Sequence, residues 1–170
     1  MLRILAAFIF FTRLPFWRLA EVPSEYFKNV VSRWALVGWL TAGLSVIVLY
    51  TASLILPASV AVLLAIVTRL LITGCLHEDG LADFFDGFGG GTSRERILSI
   101  MKDSHIGSYG VIGLILYFAL LYTLLSSLPL TLAGSAILAG DPFSKGVAGM
   151  IINRLPYCLL YPSPSPRDVE

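Results

Sequence analysis

Charge is what this sequence has least of. Asp, Glu, Lys and Arg make up 14% of its 170 residues, against 56% hydrophobic, and the mean hydropathy is +0.82. A water-soluble domain carries about 25% charged residues to wet its surface. The composition therefore excludes an ordinary soluble globule and indicates a membrane protein. There is no basic tract and the net charge is +1, so nucleic-acid binding has no electrostatic footprint. Cysteine is nearly absent. Cys75 and Cys158 are too few for a disulfide framework or a four-ligand zinc site, and both are expected to be small apolar packers. No internal repeat is visible.

What is abundant is apolar sequence of membrane-spanning length, about 20 residues per span. The short run Ile4 to Phe11 is followed by Thr12-Arg13-Leu14-Pro15 instead of a small-residue cleavage site. It reads as an amphipathic or re-entrant segment at the interface, with Trp17, Tyr26 and Trp34 in an aromatic belt. Trp34 to Leu56 holds no charge and is the clearest span; Pro57 ends it. A second span is expected from about Ala58 to Leu76, interrupted by Arg69, which must face protein, water or a headgroup. Ile106 to Gly140 is again free of charge and is punctuated by Pro129. It reads as one span to about Leu128 and the start of another. The expected fold is an all-α, polytopic transmembrane helix bundle of about four spans with an acidic helix-loop segment outside it.

Charge also orients the spans. Arg3, Arg13, Arg18, Lys28 and Arg33 outnumber Glu21 and Glu25 before the first span, and Arg94, Arg96 and Lys102 lie two spans later. The positive-inside rule places both segments in the cytosol.

That second segment carries the chemistry. Residues 77–105 hold Glu78, Asp79, Asp83, Asp86, Glu95 and Asp103, six of the eleven acidic residues. Asp79, Asp83 and Asp86 are spaced i, i+4, i+7, which on a helix puts them within roughly 60° of one another. Three bare carboxylates on one face repel each other. A divalent cation relieves this, and Mg²⁺ takes one or two carboxylates directly, leaving positions for water and substrate phosphates. The alternative is a solvated acidic face, but ionisable groups at a membrane boundary favour function. Glu78 points roughly 100° from Asp79 and is left out of the set. His77 is close enough to act as proton acceptor or hydrogen-bond donor. Gly87, Gly89, Gly90 and Gly91 form a turn that matches no P-loop. Thr92-Ser93-Arg94-Glu95 reads as a capping box opening a short helix, with Ile97, Ile100 and Met101 as its apolar stripe. Beyond it, Lys102 suits a phosphate and Asp103 a metal, or the two form a plain surface ion pair.

Taken together, these residues resemble a known family. His77-Glu78-Asp79-Gly80-Leu81-Ala82-Asp83, continuing to Asp86-Gly87, resembles the signature of the adenosylcobinamide-GDP ribazoletransferase (cobalamin 5′-phosphate synthase) family. Met101-Lys102-Asp103-Ser104 with Ile106-Gly107 and Tyr109-Gly110 resembles its second signature, with His105 where the family usually has arginine. Phe11-Thr12-Arg13-Leu14-Pro15 resembles its opening.

The resemblance implies an integral membrane enzyme of the last steps of adenosylcobalamin assembly, in the cell inner membrane. Such an enzyme joins adenosylcobinamide-GDP to α-ribazole or its 5′-phosphate with release of GMP, and requires Mg²⁺. It implies Asp79, Asp83 and Asp86 at the metal, His77 or Asp103 as proton acceptor, and Lys102, Ser104 and His105 at the substrate. The family's bundle continues past residue 157, so residues 1–157 are expected to be the N-terminal part of one membrane-embedded domain in a C-terminally truncated chain. Asp141, Ser144, Lys145 and Arg154 would belong to that bundle. Residues 158–170, which alternate proline with serine, resemble a translated transposase sequencing adapter and are expected to be a non-native tail; a natural Pro-Ser tail is the alternative.

Two other classes differ from this pattern. A CDP-alcohol-type phosphotransferase expects an Asp-Gly-Ala-Arg pattern, whereas Ala82 is followed by Asp83. A divalent-cation transporter expects acidic residues inside spans, whereas this cluster lies at a boundary.

Overall fold

The structure is a computed structural model describing residues 1–154; the tail expected over 158–170 lies outside these. Among the described residues seven α-helices follow one another: α1 (Leu2–Phe11), α2 (Trp34–Ser53), α3 (Ala58–Thr73), α4 (Leu76–Gly90), α5 (Arg94–Met101), α6 (Ser108–Ser127) and α7 (Leu130–Arg154). Two 3₁₀ segments, Phe16–Arg18 and Ser24–Arg33, link α1 to α2. No strand occurs among the described residues, in keeping with the expected all-α fold.

The helices group around α2, which packs along α3 on one side and α7 on the other. Its buried face, Val37, Gly38, Thr41, Ala42, Ser45, Val46 and Leu49, recurs every three to four residues and is built largely from small side chains. In a bilayer, where burying apolar surface against lipid gains little, small residues bring helices together by letting backbones approach. At Gly38 a Cβ would lie 2.5 Å from the Pro142 Cα and 2.8 Å from its nitrogen, so the two backbones meet there. Pro142 sits inside α7 and lacks the N–H a helix interior requires. One apolar core cluster forms where Leu49, Ala61, Val62, Ala65, Ile66, Leu125 and Ala133 meet. A second cluster, Ala6, Ala7, Phe11, Val30 and Val37, fastens α1 to the 24–33 segment and α2. The N-terminal apolar run is thus a short helix held on the bundle, too short to span.

About four spans are expected; among the described residues two segments are long and apolar enough to cross a membrane, Ser24–Ser53 and Ser108–Ser127, with a third if α3 and α4 count as one bent unit. The reasons are physical. At 1.5 Å per residue α3's 16 residues reach about 24 Å, short of a hydrocarbon core of about 30 Å. Helix α7 is long enough at 25 residues, but carries Asp141, Pro142 and Lys145. Helix α6 turns Val111, Ile112, Ile115, Leu116, Leu120 and Leu124 outward, all exposed, as a lipid-facing helix does.

Candidate functional site

Helix α3 ends in two successive left-handed residues, Gly74 (φ 64°) and Cys75 (φ 60°), and α4 leaves at 91° to it. Glycine enters this region freely, whereas a residue with a Cβ is strained there. Cys75 is exposed, a strained turn residue and no apolar packer; Cys158 lies outside the described residues. The Phe11–Pro15 segment docks on this corner: the Arg13 N–H donates to the Ile72 carbonyl at 2.7 Å. The chain therefore turns sharply here, and the acidic motif starts a helix that runs across the end of α3.

The three aspartates of α4 have different surroundings. Asp79 is exposed and Asp83 partly so. Burial, then the neighbouring charges of Asp79 and Asp86, raise the Asp83 carboxyl above the usual range, which is the mutual repulsion expected of the row. Asp86 is buried and faces α6. Its two oxygens accept the backbone N–H groups of Gly107 at 2.7 Å and Gly110 at 2.8 Å, capping the otherwise unpaired start of that helix. Among the described residues no three His, Cys, Asp or Glu side chains converge to hold a metal ion by themselves. Asp79 and Asp83 are left as a pair of water-accessible oxygen donors. That number suits Mg²⁺, which completes its shell with water and phosphate oxygens.

The second signature follows from Gly107. Helix α5 begins with Ser93 as N-cap, accepting from the Arg96 N–H at 3.3 Å, one residue later than a cap at Thr92. Ile97, Ile100 and Met101 pack on α4, so that a Cβ at Gly87 would lie 2.7 Å from Met101 Cγ. Lys102, Asp103, Ser104 and His105 are all exposed. Asp103 Oδ1 takes the His105 N–H at 3.1 Å and lies 2.6 Å from His105 Nδ1. The pair holds the His105 imidazole above its ordinary value and the Asp103 carboxyl below its own. Asp103 is thus paired to His105, and Lys102 and Ser104 stand beside them on the same loop.

The opposite side of α4 holds residues that spacing passed over. Glu78 is 5% exposed, and its Oε1 accepts from Arg69 at 2.6 Å. Arg69 also donates to the Tyr117 hydroxyl at 2.8 Å and lies 3.9 Å from Asp141. Asp141 in turn accepts from Lys145 and from Thr41. One ionic cluster therefore ties α2, α3, α4, α6 and α7 together at the foot of the acidic helix. The signal for it was Arg69, a charge inside a span that requires a partner; Glu78 is that partner.

His77 joins this side. Its ring lies 5.2 Å from that of Trp34 and 6.5 Å from that of Phe11. Burial, reinforced by Lys145 and Arg69, lowers its pKa to about 4, so the imidazole is neutral at pH 7 and able to accept a proton.

The chain spans little more than half the length of the curated relatives it matches. An adenosylcobinamide-GDP ribazoletransferase of Shewanella sp. (strain W3-18-1) is 47% identical over 151 residues, 87% of this chain and 58% of that protein. One from Shewanella baltica (strain OS185) is 46% identical over the same shares. One from Shewanella oneidensis is 44% identical over 146 residues, 84% and 56%. No solved structure matches the chain. The cobalamin-5-phosphate synthase family model matches residues 3–161, taking in both signatures, the bend and the ionic cluster, and the chain belongs to that family.

Proposed function

We propose that the protein acts in the inner membrane as an adenosylcobinamide-GDP ribazoletransferase, with its N-terminus and α4 on the cytosolic side. In the proposed reaction the ribose 3′-oxygen of α-ribazole, or of its 5′-phosphate, forms a bond to the cobinamide-linked phosphorus. The phosphoanhydride bond to GMP breaks, and the hydroxyl proton leaves to a base. The products are GMP and adenosylcobalamin or its 5′-phosphate. The observation that carries this reading is the pair Asp79 and Asp83, held on the accessible side of a helix that crosses the end of α3, within the residues the family model matches.

Asp79 and Asp83 would hold Mg²⁺, which when bound neutralises charge on a diphosphate. Asp86 anchors the Gly107 loop instead, keeping the second signature beside the row. Neutral His77, within two residues of Asp79, accepts the proton. Lys102 and Ser104 on the exposed loop offer a cation and a hydroxyl to phosphate oxygens, while His105 holds Asp103. Positive charge on the 1–33 and 94–102 segments supports the orientation.

The test is GMP release from adenosylcobinamide-GDP by membranes carrying the intact gene product, with α-ribazole and Mg²⁺ each added and omitted. Release that needs both is the expected result; no release from inserted protein would reject the reading.

A further inference from the structure

Helix α4 has an aromatic side that is left open among the described residues. Phe84 and Phe88 are 46% and 60% exposed, with ring centroids 4.7 Å apart. At 3.6 residues per turn they lie about 140° and about 180° around the helix from Asp79. The aromatic and acidic sides are therefore opposite. An apolar patch of this kind marks an interaction surface.

Two observations show which way it faces. The first is the register of α4 on α6, a helix long and apolar enough to span. Asp86 takes the N–H groups of Gly107 and Gly110 at the start of α6. Phe85, next to Phe84, packs against Gly113, about 9 Å beyond Gly107 along the helix. The phenyl rings thus lie deeper along the span than the carboxylates. The second is α5, which packs by Ile97 and Met101 on Gly87, about 80° from Asp79. It carries Arg94, Glu95 and Arg96, all exposed, so charge collects on the acidic side of α4.

The apolar surface also continues from α4 onto α6. The Tyr109 ring lies against Gly89, where a Cβ would come within 2.5 Å of it, and is itself 53% exposed. Beyond Tyr109 the exposed row Ile112, Leu116 and Leu120 runs along one face of α6 at helical spacing. The 15 residues of α4 reach about 22 Å, short of a span, and the helix leaves α3 at 91°. A helix with apolar and charged sides, set across the end of a neighbouring helix, suits the interfacial plane, where aromatic side chains collect.

We propose that α4 lies along the membrane surface, with Phe84 and Phe88 among lipid acyl chains and Asp79 and Asp83 turned to water at the level of the headgroups. Bilayer lipid is the occupant of the aromatic side because that side is continuous with the outward row of α6. The assignment makes no use of the transferase reading.

The experiment places the intact gene product in nanodiscs whose lipids carry bromine on the acyl chains, with unbrominated nanodiscs as reference. Phe88→Trp puts a fluorescent reporter on the aromatic side, and Ser99→Trp, at an exposed position of α5, puts one on the water side. Emission is read as the difference from the unaltered protein, which already holds Trp17, Trp34 and Trp39. Phe88→Trp is expected to lose most of its added emission to the brominated chains and little to acrylamide dissolved in the water; Ser99→Trp is expected to do the reverse. If Phe88→Trp does not fold, Phe84→Trp decides. Loss to acrylamide at the aromatic side would turn it toward water, and loss to neither quencher would place it beneath protein. Either result overturns the proposal.

Discussion

Consecutive residues of α4 live in opposite worlds. Asp79 faces water, and Asp83 is partly open to it. Glu78, next door, is buried and held by Arg69 at 2.6 Å. The two sides do different things with the same functional group. Exposed carboxylates cost little to keep charged and are free to take up a cation. A buried carboxylate remains charged only because a cation is built in beside it, and such a pair holds the helix in place. The difference separates exposed oxygen donors from a buried ion pair within a single turn.

Neutralising the exposed side has the largest expected effect on activity. Asp83→Asn and Asp79→Asn are each expected to reduce GMP release about 10²–10³-fold, the scale of losing one preorganised electrostatic contact to a reacting group, while the melting temperature in detergent stays unchanged. Breaking the buried side reverses the pattern. Arg69→Met leaves Glu78 and Asp141 short of a cation and is expected to cost about 3–5 kcal/mol of stability, read as a large fall in melting temperature whether or not substrate is present. Asp86 belongs with the scaffold despite its place in the row. Asp86→Ala orphans the Gly107 and Gly110 N–H groups and is expected to destabilise by about 1–3 kcal/mol without weakening Mg²⁺ affinity, measured by titration of folded protein. At the corner, Gly74→Ala forces a Cβ into a left-handed conformation and toward the Arg13 side chain, for about 1–2 kcal/mol. His105→Ala, in an exposed pair with Asp103, is expected to leave the melting temperature unchanged and thereby to separate a surface ion pair from the buried one.

Much of this was legible in the residues, and what was not has a physical reason. Hydropathy located the helices because lipid-facing segments must be apolar throughout. It registers apolarity more readily than the break at Gly74-Cys75 or the charges in the middle of α7. Helical spacing placed Asp79, Asp83 and Asp86 on one face, but spacing within a helix carries no information about what packs on it. The arrival of α6 at Asp86 comes from 21 residues further along the chain. Glu78 was passed over for the same reason. Its angle from Asp79 follows from helical spacing, while the partner that makes that direction important, Arg69, lies on the preceding helix. The capping residue of α5 was off by one because Thr92 and Ser93 are both competent caps, and the choice between them is made by where the chain leaves α4.

The most direct test of a divided α4 is Mn²⁺ binding, as a stand-in for Mg²⁺, measured by electron paramagnetic resonance on the intact gene product and on folded Asp83→Asn and Glu78→Gln variants. The account predicts that Asp83→Asn loses the bound ion and Glu78→Gln keeps it. Retention by Asp83→Asn together with loss in Glu78→Gln would contradict it and move the metal to the buried side.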